Sequence, residues 1–408
     1  MKRIIELGAL ASLAFVAASC NNAEYNPDDL GVKGFLVESI NSIGVASGNV
    51  TLSTDEGASV TLTAALTDKA EEDVTFRLVL DKDVLAKYNE EQGTGFQLLE
   101  DEFYTLGEEV TIPAGSYSTD PIVLNFNPVK DDMLGLPYAL PLRLEKVKGE
   151  VDVTPVTSAF VYTISTVMVN ELPIFNGASG LRVQDFNQTF PQFTVELKIQ
   201  LSSTSNRNVD IFCCSLNETG GEVFCRLEDP QSTTPEHPAH SLVQFQGKGD
   251  YLNPSIHIET NKWQHYAYTY DGTKLTIYIN GVNAGSKEMA PSAVKNGEFV
   301  FLSYGGVGGF NGYWAPGDSP WYGIKSIVTE CRIWSVARTA EQISKNAASV
   351  SPDSKGLEGY WRVNKKTWNE DSKTFEDLTG KGHPMTATKG VSKWKADIYS
   401  TDEKTSWD

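Results

Sequence analysis

Cleaving a glycosidic bond takes two carboxylates that flank it, and cleaving an ester takes a serine, a histidine and an acid within reach of one another. Neither arrangement is written in this chain. Glu196, Glu222, Glu259, Glu298 and Glu330 recur at no spacing that pairs them, no Gly-x-Ser-x-Gly turn occurs, and the five histidines are scattered. His237 and His240 have a spacing that could grip a metal, but they stand in a proline-rich loop without a third ligand, so a solvated loop is the better reading. No EF-hand spacing or phosphate-cradling glycine loop is present. What does suggest chemistry is a set of rings. Residues 305–323 carry Phe310, Tyr313, Trp314, Trp321 and Tyr322 among glycines. Loops face solvent, and a pyranose has an apolar C–H face that lies flat on an indole or phenol. Trp314 and Trp321 are the favoured plates, with Tyr313 and Phe310 beside them and Asn311 and Asp318 serving the hydroxyls. The alternative is that these rings fold back over one end of the molecule. A second stripe, Tyr266, Tyr268 and Tyr270, shares one strand face by period two, as a stacking platform or, the better reading, as core.

The elements that must hold these residues are strands. Val60, Leu62, Ala64 and Leu66 alternate with polar neighbours, as do Val74 to Leu80, Ile122 to Phe126, Leu140 to Leu144 and Phe160 to Ile164. Phe193–Leu201, Trp263–Tyr270, Leu275–Ile279 and Phe299–Tyr304 continue the pattern, and Asp271-Gly272 and Asn280-Gly281 are hairpin turns. Helices are few: Asp83–Glu90, and a segment that Thr339 caps with Gln342 three residues on. The expected fold is all-β, with one β-sandwich over 31–169, a second over 175–395, and a polar tail over 396–408. If 217–222 turn a hairpin, Cys214 lies opposite Cys225 and the two could form a disulfide; two buried thiols are the alternative.

The first residues are an address. Lys2 and Arg3 precede an apolar run from Ile4 to Ala18, then Ser19-Cys20, which describes a secretory signal over 1–19. Removing it takes away Lys2, Arg3 and Glu6 and moves the net charge from −19 to −20. Such a surface repels phosphate backbones and excludes nucleic acid as a partner. Ala17-Ala18-Ser19-Cys20 resembles a bacterial lipobox, which implies lipidation of Cys20 and a tether over 20–30.

Two further resemblances concern the folded parts. Val74–Asp81, Val84–Asn89, Phe103–Leu106, Val110–Gly115 and Leu140–Leu144 resemble, in order, the β-sandwich at the N-terminus of certain Bacteroidota endo-β-N-acetylglucosaminidases and of surface lipoproteins from glycan-utilisation systems. There it is a non-catalytic spacer or binding module. Phe193–Leu197, Trp263–Gly272, Leu275–Gly281, Cys331–Thr339, Gly359–Trp361 and Asp377–Gly380 are similar to laminin-G and concanavalin A-like jelly rolls. Hydrolases on that fold carry a Glu-x-Asp-x-x-Glu strand, which this chain lacks. Such jelly rolls often hold calcium, to which Asp185 and Asp318 are free to contribute, although nothing in the sequence converges on a site. The resemblances imply a non-catalytic, lipid-anchored protein on the outer-membrane surface that holds an oligosaccharide or polysaccharide for a glycan importer, meeting the membrane only through its lipid. No other cofactor is expected. A protein-binding or adhesive lipoprotein and a jelly-roll hydrolase are the alternatives.

Overall fold

The structure, a computed structural model, describes residues 31–408 except 41, 43, 178–179, 217–220, 231, 236–237, 248–249, 289–293, 304–320 and 322. It is all-β, with two separate hydrophobic cores. In the first half a sheet runs in the order Ala46–Leu52, Ala159–Thr166, Tyr138–Lys148, Val74–Leu80, Val110–Ile112. It shares one core with two three-stranded sheets. Period two explains the packing: Leu140, Leu142 and Leu144 point into that core, as do Phe160, Tyr162 and Ile164. Ala159 and Val161, on the other face, meet Val84, Leu85 and Tyr88 of the helix Lys82–Gln92. Asp81 caps this helix by accepting from the Asp83 and Val84 amides, and Gly93 closes it at φ +59°.

One expected strand is two. The Val60 to Leu66 alternation breaks at Thr63 into Ala58–Leu62 and Ala64–Leu66, which join different sheets. The Thr63 amide donates to Glu38 and its carbonyl accepts from Val37, so the chain turns out of one ladder and into the next with its hydrophobic phase preserved.

The second half stacks a seven-stranded sheet on a nine-stranded one, both antiparallel, around the larger core. The strands Phe193–Leu201, Gln264–Tyr270, Lys274–Ile279 and Lys325–Trp334 belong to the first sheet, and Asp210–Leu216, Gly221–Glu228, Leu242–Gly247 and Val294–Ser303 to the second. Thr339 caps the helix Ala340–Lys345 through a reciprocal bond pair with Gln342. Asn280 and Gly281 turn a two-residue hairpin with both φ positive, +50° and +77°, between Ile279 and Val282. A Cβ on Gly281 would also lie 2.6 Å from that of Ser344. Gly281→Ala is therefore expected to cost about 1–3 kcal/mol, read as a lower urea midpoint at unchanged slope.

The C-terminal residues correct the sequence reading. Residues 396–408, expected as a polar tail, begin within the strand Trp394–Tyr399, which pairs with Val169–Pro173. Ile398 is buried with Leu172, Ile327 and Trp263, and Thr405 bonds both Gln200 and the Trp263 indole. A few well-placed apolar and bonding groups dock a segment whose average composition is polar. The two halves also touch: Gln342 donates to the Gln92 carbonyl, Lys345 to Ser47, and Arg362 to the Gly135 carbonyl.

Candidate functional site

Of the predicted ligand residues, Phe310, Asn311, Tyr313, Trp314 and Asp318 lie outside the described residues, as do Cys20 and His237. Trp321 is described, and it corrects the expectation: it is 0% exposed and belongs to the core of the second half. Its carbonyl accepts from the Ile324 amide, in a turn that carries both apolar side chains inward as the chain enters the strand Lys325–Trp334. The tyrosine stripe is core as well, with Tyr266, Tyr268 and Tyr270 all buried between the sheets. Among the described residues no group of three or more His, Cys, Asp or Glu could hold a metal; Asp318 and the Asp185 side chain lie outside them.

No disulfide joins Cys214 and Cys225; both are buried thiols. The hairpin pairs Leu216 with Gly221, so Cys214 faces Val223 and Cys225 faces Phe212, two residues away from the expected register. The Cys225 thiol donates to the Tyr268 hydroxyl at 2.8 Å, and burial pushes its pKa well up, which keeps it protonated.

The carboxylates Glu196 and Glu330 are engaged elsewhere. Glu196 is fully buried on the outer face of the seven-stranded sheet, 3.0 Å from Arg332, 2.5 Å from Arg338 and 3.2 Å from His265. Burial alone would raise its pKa, but Arg338, with His265 and Arg332, holds it well below the usual carboxylate range. Glu330 accepts from Arg332, Arg362 and the Tyr360 hydroxyl. With every carboxylate oxygen already committed to a buried cation or hydroxyl, neither group is placed to protonate a leaving oxygen or activate water.

A different surface has the properties of a ligand face. On the nine-stranded sheet Phe212, Cys225, Leu227, Val243, Phe245 and Leu252 point into the core, so their neighbours point out. In this outward row Asp210 pairs with Arg226, and Arg226 with Gln244. Arg226 Nη2 donates to Gln244 Oε1 at 3.3 Å, and Gln244 Nε2 to Asn253 Oδ1 at 2.9 Å. Glu228, 3.0 Å from Arg226 Nη2, anchors the guanidinium from the side. Two residues before Asn253, on the same face, Tyr251 is 43% exposed. Its backbone carbonyl is held by Lys287, which also pairs with Asp250, so the ring stands on a fixed strand end. Asp210 and Gln244 are buried and Arg226 is half-buried, so the Gln244 amide and the guanidinium form the base of this face, while the exposed phenol offers an apolar plate. The strand paired beside Asp210, Val294–Ser303, leads into the aromatic segment 304–320. Sequence reasoning missed Asp210, Arg226, Gln244, Tyr251 and Asn253 because polar residues alternating with apolar ones read as an ordinary solvated strand face. Only the register brings four separate strands' polar positions into line.

Family models match the two halves separately. A family model described as an N-terminal domain matches residues 37–151, and the model of the concanavalin A-like lectin/glucanases superfamily matches residues 175–344. No curated protein matches the chain. Among solved structures, the chain is similar to a candidate carbohydrate-binding protein of Bacteroides ovatus, at 19% identity over 90% of this chain and 99% of that one, with a TM-score of 0.47. It is also similar to Bacteroides thetaiotaomicron EndoBT-3987 with a Man5GlcNAc product, at 18% identity over 29% of this chain and 28% of that one, TM-score 0.26. A third similarity is to domain 4 of the Geobacillus stearothermophilus arabinanase AbnA bound to arabinotriose, at 19% identity over 44% and 80% of the respective chains, TM-score 0.32.

Proposed function

We propose that this chain, an all-β protein whose second half matches a lectin and glucanase superfamily model, binds glycans without cleaving them. The observation that carries the reading is the exposed Tyr251 beside the Arg226–Gln244–Asn253 ladder. A sugar ring laid on the phenol would place its hydroxyls against groups already held by one another. Little side-chain entropy is then lost on binding. We infer further that the segment leaving Ser303 adds contacts through Phe310, Asn311, Tyr313, Trp314 and Asp318. The role of Glu196 and Glu330 as buried partners of arginines supports the non-catalytic reading. The leader and Cys20 support lipid anchoring at the outer membrane, where a neighbouring importer would take the glycan onward.

The test is a glycan array with the protein lacking residues 1–19, followed by titration calorimetry on the best ligand. Tyr251→Ala combined with Gln244→Ala is expected to weaken binding at least about tenfold, which is about 1.4 kcal/mol, with the far-UV spectrum unchanged. Wild-type affinity in the double variant would remove this face from the proposal. A stoichiometric protein partner with no glycan signal would favour the adhesive alternative, and cleaved product in the array mixture the hydrolase.

A further inference from the structure

Where Val169–Pro173 meets the returning strand Trp394–Tyr399, the ladder breaks. Asn170 pairs with Ile398 and Leu172 with Lys395, so Glu171 faces Ala396 and Asp397 together across a bulge. Asp397 takes φ +57°, a conformation that residues with a side chain rarely adopt. Bulges of this kind re-aim side chains, and strained positions gather at binding sites. Over the bulge lies a cavity of about 280 Å³ lined by Asn170, Glu171, Asn364, Lys365, Lys366 and Asp397. Its members are held in place. Asn364 Nδ2 donates to Asn170 Oδ1 at 3.3 Å, and Asn364 Oδ1 accepts from the Thr367 amide. The Lys365 ammonium sits 4.5 Å above the centre of the Trp394 ring, which itself packs edge-on against Trp368 and Phe375.

We propose that this cavity is a second carbohydrate site, taking a single neutral sugar ring. The inference rests on the glycan-binding reading above but on none of the residues of that face. The chemistry of the lining selects the ligand class. Ammonium groups only donate, carboxylates only accept, and the two amides do both, which is the complement of a ring whose hydroxyls each donate and accept. A carboxylated sugar would meet Glu171 and Asp397; a cationic ligand would meet Lys365 and Lys366. The volume lies near the lower end for small-molecule sites and admits one ring. Two sites on separate faces would hold one polysaccharide twice, so that the second contact forms at a high effective concentration.

The experiment follows indole N–H resonances of the full mature chain, with Trp394→Phe assigning one of the eight tryptophans. The probes are the methyl glycosides of glucose, galactose, mannose and N-acetylglucosamine. At least one is expected to shift the Trp394 resonance saturably. The shift persists in Tyr251→Ala, and is lost in Lys365→Ala with Glu171→Ala, both exposed positions that leave the fold intact. No shift from any of the four overturns the proposal, as does a shift that survives in the pocket variant or vanishes in Tyr251→Ala. The Tyr251 variant's behaviour on the array reports the first face independently.

Discussion

Glu196→Gln is expected to lower the free energy of unfolding by about 3–5 kcal/mol. The side chain keeps its size, so the loss is of charge alone. Arg332 and Arg338 converge on the two Glu196 oxygens, and both guanidiniums are almost wholly buried. Without the carboxylate, Arg338 loses its acidic partner and Arg332 keeps only Glu330, in a site that water does not reach. Part of the deficit is offset by the carbonyls of Asn346 and Gln342, which already accept from these arginines, and by the Trp334 ring under Arg338. Denaturant unfolding of wild type and variant measures the difference. A loss below about 1 kcal/mol would mean that the carbonyls and ring suffice. Glycan binding by the folded variant is expected to be unchanged, since Glu196 and the Tyr251 face lie on different sheets.

The same cluster sets a pH dependence, and its two titrating members act in one direction. Glu196 has a folded pKa below its ordinary value of 4.5, so its stabilisation is complete above that value and is lost as pH falls toward the folded pKa. His265 is held below its ordinary 6.5, mainly by burial, against the pull of Glu196. Between 6.5 and its folded pKa the unfolded chain therefore binds a proton that the folded chain does not, and stability again falls with acid. Wild type is expected to lose stability from about pH 6.5 downward, more steeply below about 4.5. The gap between wild type and Glu196→Gln should narrow in that lower range, because the variant has no carboxylate there to protonate. A gap that is constant from pH 7 to pH 3 would place the charge of Glu196 outside the stability of the fold.

How much of this was legible in the sequence follows from the range of each interaction. Alternation in Leu140–Leu144 and Phe160–Ile164, the Asn280-Gly281 turn and the Thr339–Gln342 cap are local patterns, and each describes the structure. Register is not local. The strands Asp210–Leu216 and Gly221–Glu228 pair two residues away from the register that the sequence suggests, which separates Cys214 from Cys225. The Glu196 cluster gathers residues up to 142 positions apart. A lone Glu in an apolar strand shows only that some partner must exist. The ladder Arg226, Gln244, Asn253 was equally hidden, since no strand contains more than one member.

Trp321 marks the sharpest limit of reading from residue type, and its replacement is the other change expected to have a large effect. An indole in a glycine-rich, aromatic segment reads as a sugar plate; at 0% exposure it is instead a wedge in the core, with the buried Ile324 three residues on. Trp321→Ala should leave a cavity that the sheets cannot close, at a cost of about 3–5 kcal/mol. Tyr251→Ala, at an exposed strand end, should cost within about 0.5 kcal/mol. Ligand binding is expected to respond in the opposite order: Tyr251→Ala weakens it at full stability, whereas Trp321→Ala lowers only the folded fraction and leaves the affinity of the folded molecules intact. Thermal melts with and without glycan, read beside calorimetric affinities, separate the two. Wild-type stability with abolished binding in Trp321→Ala would return that indole to the ligand face. The expected contrast follows from one physical difference between the two rings: a ring already surrounded by protein has no face left to offer a sugar.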